Sequence, residues 1–177
     1  MSELSAAKQR FILHWGEMGT RWGVNRTVAQ IHALLYLSTE PMTAEAIANA
    51  LSVARSNVST SLKVLQSWDL VNVVHVLGDR RDHFEVTKDV WELFKVVLEG
   101  RKRREVDPTI MVLHECIKDV DTTGDNDAFT KERLDDMLEF FETMTSIYGQ
   151  LRDMPTEQLQ KLVKTAGKLH KLIGILG

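Results

Sequence analysis

Six residues between positions 55 and 63 could do binding chemistry together. Arg55, Ser56, Asn57, Ser59, Thr60 and Lys63 are two cations, three hydroxyls and an amide, at spacings that one helix can present to a partner. Their chemistry is donation to anionic oxygens and to base edges, not bond breaking. Between residues 46 and 68 the only charged side chains are Arg55 and Lys63, and no acid occurs between Glu45 and Asp69. A face that must lie against phosphates tolerates hydroxyls, amides and cations but not carboxylates. A second pair of cations, Arg80 and Arg81, follows in Gly78-Asp79-Arg80-Arg81-Asp82, a turn-forming sequence between two β-prone runs.

The elements that must position these groups can be read from the pattern. Thr43 is a good N-cap for a helix over Ala44–Ala50, with Ile47 and Leu51 buried. Ser52-Val53 makes a turn, and a second helix runs from about Ala54 to Trp68, burying Val58, Leu62 and Leu65. Asn57, beside Val58, is expected to face partly inward. Val71–Val76 and His83–Val86 read as two paired strands. Upstream, Phe11, Ile12, Trp15 and Met18 mark a helix from Ser5. Gly16, Gly19 and Gly23 are expected to weaken it and bend or break it near residues 19–25 before Arg26–Leu37 resumes. Downstream, a helix from Asp89 to about Glu105 has Val90, Leu93, Phe94, Val97 and Leu98 on one side. Asp107-Pro108 then breaks it or starts the next, and helices follow over about 109–120, 129–150 and 156–173.

The order helix, turn, helix, two-stranded ribbon is a winged helix-turn-helix. The fold class expected is mainly α with a small antiparallel β wing and a C-terminal helical dimerisation region. The domains expected are 1–105, the winged module with an N-terminal helix contributing to a dimer, and 106–177, a helical dimerisation or effector region. The helix at Arg55 would enter a major groove of duplex DNA, Arg80, Arg81 and His83 would act from the wing, and Thr43 joins the contact set. One such helix reads one half-site, so a homodimer on an inverted-repeat operator is expected. Phe11, Ile12 and Trp15 at one end, with Leu159, Leu162, Val163, Leu169, Ile173 and Leu176 at the other, could build its interface. The other reading is a winged-helix protein–protein adaptor, which would show no salt-dependent affinity for duplex.

Three motifs then resemble a known family. Thr43-Ala-Glu-Ala-Ile-Ala-Asn-Ala-Leu51, Asn57-Val-Ser-Thr-Ser-Leu-Lys-Val-Leu65 and Gly78-Asp-Arg-Arg-Asp-His-Phe84 are similar to the MarR superfamily of winged regulators. The Gly-Asp-Arg-Arg tip, Trp15-Gly16 and Gly19 followed by Arg21 resemble its GbsR-like branch more narrowly. The resemblance covers roughly residues 8–105. It implies a homodimeric transcriptional regulator, usually a repressor, retuned by a small molecule. Because some of that branch are associated with choline and glycine betaine metabolism, it makes a choline-like effector thinkable. Trp15, Trp22, Tyr36, Trp91 and Phe94 could supply a cation-binding aromatic cage, or equally pack as ordinary core.

Other chemistries find little support. At 177 residues with 44% hydrophobic and 27% charged residues, the chain is globular in composition. The net charge of -3 is not that of a non-specific polyanion binder, and the acids gather after residue 118, at Asp119, Asp121, Asp125, Asp127, Asp135, Asp136 and Glu139. One cysteine, Cys116, excludes an internal disulfide and suits a reducing compartment; with no apolar run of spanning length and no leader, a cytoplasmic protein is expected. His114 and Cys116, two apart on a helix, point in different directions and do not form a nucleophilic pair. His75 and His83 would face each other if the turn centres on Asp79, but a third metal ligand is missing. Asp121–Glu132 has calcium-loop spacings with its glycine at the wrong position. No enzyme activity, cofactor or metal is expected, and Arg101-Lys102-Arg103-Arg104 could touch DNA backbone or simply suit a helix end.

Overall fold

The computed structural model describes residues 4–123 and 128–173. It separates into two compact units, Met1–Val97 and Leu98–Gly177. The first holds α1 (Ala6–Arg21), α2 (Arg26–Tyr36), β1 (Met42–Thr43), α3 (Ala44–Leu51), α4 (Arg55–Ser67), β2 (Asn72–Val74) and β3 (His83–Glu85). Helix α5 (Val90–Arg101) carries the chain into the second, which holds α6 (Asp107–Thr123), α7 (Ala128–Asp153) and α8 (Thr156–Ile173).

Side-chain caps set where the first three helices start. Ser5, Asn25 and Thr43 each accept a backbone N–H from the first turn of α1, α2 and α3. The break between α1 and α2 falls at residues 22–25, as expected, with Gly23 at a φ of 76°. The two earlier glycines do something other than weaken the helix. Gly16 and Gly19 are buried within α1, and a Cβ on Gly19 would stand 2.5 Å from the Cβ of Ala29. They let α2 pack almost backbone to backbone against α1.

The helix-turn-helix closes through Ser52, whose left-handed backbone (φ 53°, ψ 43°) ends α3 and reverses the chain. Val58, Leu62 and Leu65 of α4 meet Ile31, Leu34 and Leu35 of α2 and Ile47 of α3 in one core, joined by Val71, Phe84 and Val86 from the sheet. Burying each such side chain is worth about 1.5–3 kcal/mol.

The wing is a three-stranded antiparallel sheet of order β1-β3-β2, not a bare hairpin. Met42 pairs with Phe84 and Thr43 with His83. A two-residue strand leaves no periodicity to read. On the other edge Val74, not His75, lies opposite His83. The turn is centred between Gly78 and Asp79, half a residue before Asp79, which moves the pairing by one and leaves His75 exposed.

Within the second unit, Asp107-Pro108 starts the next helix, the second of the two readings, and the chain stays helical into it. A π-helical turn, Lys102–Val106, precedes α6, and the Asp107 N–H donates to the Lys102 carbonyl five residues back. The wider turn accommodates a proline at the second position of α6. Tyr148 of α7 donates its hydroxyl to Glu99 (2.9 Å), which Arg152 also contacts at 3.3 Å. Burial and the neighbouring carboxylate push the Tyr148 phenol up to about 12. Asp125 and Asp127, part of the calcium-loop reading, lie outside the described residues, and no cluster of three potential metal ligands occurs among those described. No helix among the described residues is long and apolar enough to cross a membrane.

Candidate nucleic-acid interface

All six residues of the 55–63 set are exposed, while Val58, Ser61 and Leu62 between them are buried. Asn57 is exposed with the others, against the expectation that it turns partly inward. At one-hundred-degree steps the apolar positions 58, 62 and 65 claim the inner face and leave 57 outside it. Helix α4 is also the only one of the first four whose N-cap, Ala54, brings no side-chain hydrogen bond. Its leading N–H groups are therefore left for another acceptor, and a helix N-terminus favours an anion.

A cleft of about 450 Å³ separates α4 from the wing. Arg55, Ser59 and Lys63 line it from the helix, and Arg80 and Arg81 line it from the wing. Four cations thus surround one concave surface, with Glu45 at its α3 edge.

The two wing arginines differ. Arg81 grips Asp79 with Nε 2.9 Å from Oδ1 and Nη2 2.5 Å from Oδ2, and its backbone N–H donates to Oδ1 at 3.0 Å. Its Nη1 also lies 3.7 Å from Glu45. This grip holds the Asp79 carboxyl well below the usual carboxylate range and raises the Arg81 guanidinium, which stays charged at any relevant pH. The Arg81 side chain still keeps 60% of its surface exposed. Arg80 is exposed and forms no ion pair among the described residues.

Two members of the expected contact set lie inside. Thr43 is buried, its hydroxyl accepting from the Ala46 N–H at 3.2 Å as the cap of α3. His83 is 8% exposed, at the centre of the sheet behind the wing tip, rather than projecting from it. Position 83 alternates inward once β1 covers that edge, and β1 could not be anticipated from two residues. Asp79, absent from the expected contact set, holds Arg81, so for Arg81 the alternative that the wing arginines pair with their adjacent acids is what the structure has, while Arg80 stays outside any such pair among the described residues.

Among the described residues, ring contacts join two of the five aromatic residues, Trp15 and Trp22. Trp15 stacks on Phe11 (5.5 Å) and meets Trp22 edge-on (6.1 Å). No ring contact joins Tyr36, Trp91 or Phe94 to that pair among the described residues. Tyr36 packs on the core, Trp91 is half-buried and Phe94 is exposed. The cations after residue 100 are engaged locally: Arg101 pairs with Glu105 (3.2 Å), Lys102 with Asp107 (2.7 Å) and Arg103 with Glu99 (3.9 Å).

Residues 22–82 match the model of the MarR family. This winged module resembles the MarR family. Over 158 residues the chain is 23% identical to the HTH-type transcriptional repressor GbsR of Bacillus subtilis, covering 87% of this chain and 83% of that protein. It is also 23% identical over 91 residues to the putative HTH-type transcriptional regulator YvaV of the same organism, covering 51% of each. A crystal structure of a transcriptional regulator shares the fold at a TM-score of 0.65 and 18% identity, covering 82% of this chain and 95% of that one. The MarR match takes in α2 through the wing tip, the same elements that build the cationic cleft.

Proposed function

We propose that this chain is a sequence-specific, DNA-binding transcriptional regulator of the MarR family. Helix α4 lies in a major groove, where Arg55, Ser56, Asn57 and Ser59 reach base edges and the adjacent phosphates. Lys63, Arg80 and Arg81 engage backbone phosphates on the far side of the cleft. The observation that carries this reading is the convergence of Arg55, Lys63, Arg80 and Arg81 on one cleft beside a helix face free of carboxylates. A protein partner would need no such concentration of cations facing one way.

The active species in this reading is a homodimer on an inverted repeat, since one α4 covers one half-site. Unit Leu98–Gly177 supports it. Among its described residues the large apolar side chains that are fully buried are Leu113 and Leu159, whereas Met111, Val112, Phe129, Met137, Phe140, Met144, Ile147, Leu162 and Val163 are exposed. A unit with so little interior needs a partner surface. Of the residues expected at the dimer interface, Ile12 and Leu159 are instead buried within their own units, and Leu162 and Val163 remain exposed. The side chains of Leu169 and Ile173, and the whole of Leu176, lie outside the described residues.

Repression is the mode the GbsR relative supports, by its name. Fluorescence anisotropy with duplexes enriched from a genomic fragment pool tests the proposal. Enrichment of a two-fold symmetric site, bound with an affinity that falls steeply with salt, is expected. Salt-independent binding, or none, would leave the adaptor reading in its place.

A further inference from the structure

His83 is buried behind the wing tip, yet its ring is bonded to the one wing cation that is held in place. Its Nδ1 lies 3.0 Å from the Arg81 carbonyl oxygen, which only accepts, so Nδ1 carries the proton. That tautomer leaves Nε2 as an acceptor in the neutral ring, 3.6 Å from Asp79 Oδ2. The same Asp79 carboxylate binds the Arg81 guanidinium through both oxygens. His83 thus touches Arg81 from two sides, through its carbonyl and through its counterion. The backbone of His83 cannot drift, because it is paired with Thr43 on one edge and Val74 on the other.

We propose that His83 is a positioning residue for DNA binding, which sets the Arg81 side chain in the cleft and tightens that setting when its imidazole gains a proton. The inference rests on the DNA-binding reading above. In the neutral ring a lone pair faces a carboxylate oxygen across 3.6 Å, two acceptors opposed. Protonation makes Nε2 a cationic donor to Oδ2, so Asp79 is clamped between imidazolium and guanidinium. The added positive charge also lies near the phosphates that Arg80 and Arg81 approach. The Arg81 guanidinium, bound to the same carboxylate oxygen, opposes the imidazolium, and the Asp79 charge between the two offsets it. Glu45 of α3, which contacts Arg81, favours the imidazolium, as does Glu40 before β1; Lys8 of α1, across the larger cleft behind the wing, opposes it. Both effects strengthen the complex as pH falls. Affinity gained in this way is present while the ring is protonated and lost when it is neutral, so it declines as pH rises.

The test is anisotropy with an enriched duplex and the full chain carrying His75→Gln, which removes the exposed histidine of the wing. Measurements run from pH 6 to pH 8 at constant ionic strength. Affinity is expected to rise roughly two- to fivefold toward pH 6, the range of one additional exposed ion pair. His83→Gln keeps an N–H for the Arg81 carbonyl but cannot gain a proton, so the ratio of its affinities at pH 6 and pH 8 should stay near one, whatever its affinity at pH 8. A parent without the rise, or the same rise in His83→Gln, would overturn the inference while leaving DNA binding intact. Should His83→Gln fail to fold by circular dichroism, calorimetry of the His75→Gln chain in two buffers of different ionisation heat decides. Net proton uptake on duplex binding is expected within the pH 6 to pH 8 range, and none would overturn it. Absence of duplex binding at every pH would overturn the DNA reading and this inference with it.

Discussion

The Arg81 guanidinium is clamped to the Asp79 carboxylate two residues earlier, by bonds from both its side chain and its own backbone N–H. A flexible cation is thereby fixed at the rim of a cleft before any ligand arrives, and fixing it in advance lowers the entropic cost of binding. The clamp predicts an effect whose sign opposes simple electrostatics. Asp79→Asn removes a negative charge beside the phosphates, which by itself would strengthen DNA binding. If the clamp matters more, affinity falls roughly two- to tenfold, the cost of immobilising one long side chain. Asp79→Asn and Arg81→Ala should then be non-additive when combined. Tighter binding by Asp79→Asn in an anisotropy titration would show the clamp to be irrelevant.

The wing cations should act on phosphates without regard to sequence. Arg80→Ala with Arg81→Ala is expected to weaken binding to enriched and scrambled duplexes alike. The slope of log affinity against log salt should shrink by about 1 for each phosphate that a wing cation no longer neutralises. Arg55→Ala, at the leading turn of α4, should instead narrow the gap between the two duplexes, by about 1–3 kcal/mol if it reads a base. Equal losses of discrimination from both sets of substitutions would argue against this division of labour.

Gly16 and Gly19 make a contrast within one helix. Alanine at either position has the better helix propensity, by up to about 1 kcal/mol. At Gly19 the new methyl would meet the Cβ of Ala29 at 2.5 Å, an atom that cannot move without its backbone. Overpacking of that kind costs about 1–3 kcal/mol, so Gly19→Ala should destabilise on balance. At Gly16 the methyl would meet Gln30 Cγ at 2.7 Å and Arg26 Cγ at 3.2 Å, atoms that a side-chain rotation can move without the backbone. Gly16→Ala should therefore destabilise less than Gly19→Ala. Urea denaturation of the two variants gives the comparison directly, and equal midpoints would contradict it.

Acid stability should depend on His32. It is buried in α2 with no hydrogen-bond partner for Nε2 among the described residues, and burial, assisted by the Lys88 cation, lowers its pKa from 6.5 to about 4. The unfolded chain therefore takes up a proton that the folded chain refuses between those values. This contribution to stability is complete above pH 6.5, is lost as pH falls toward 4, and amounts to about 3 kcal/mol at most. His32→Leu should flatten the decline of the urea midpoint between pH 6.5 and 4.5. An unchanged decline would assign it to other groups.

The core, the caps and the exposed face of α4 were legible from sequence because each follows from local rules. Thr43 is a cap wherever the helix starts, and Val58, Leu62 and Leu65 repeat at helical spacing. What escaped depended on contacts between distant segments. The two residues of β1 have no pattern of their own, and only their pairing with His83 and Phe84 turns position 83 inward. Gly16 and Gly19 weaken an isolated helix, yet they are required once Ala29 approaches. The aromatic set was assembled from residue type alone, and Tyr36 and Phe94 face different surroundings from the Trp15–Trp22 pair. Asp107-Pro108 was legible as the start of a helix, whereas the π-turn that joins it to the helix before leaves no local signal.

The last prediction concerns the homodimer. Helix α7 carries two apolar stripes. Leu134, Leu138, Phe141 and Tyr148 are half-buried, while Met137, Phe140, Met144 and Ile147 remain 52%, 59%, 48% and 45% exposed. The exposed set is spaced by three, four and three residues, the repeat by which one helix seats against another. From Thr143 to Leu151 no charged residue occurs, so a second copy can meet this face without opposing like charges. Light scattering of the wild-type chain should give twice its 20.2 kDa. Phe140→Asp with Met144→Asp would place carboxylates in the seam, costing at least about 3 kcal/mol and weakening association more than 100-fold. Those positions are exposed in the single chain, so its fold should survive. The variant should elute as a monomer at micromolar concentration and bind a half-site duplex far better than it binds the full inverted repeat as a pair. A variant that stays dimeric places the interface on another face, and a monomeric wild type removes the homodimer itself.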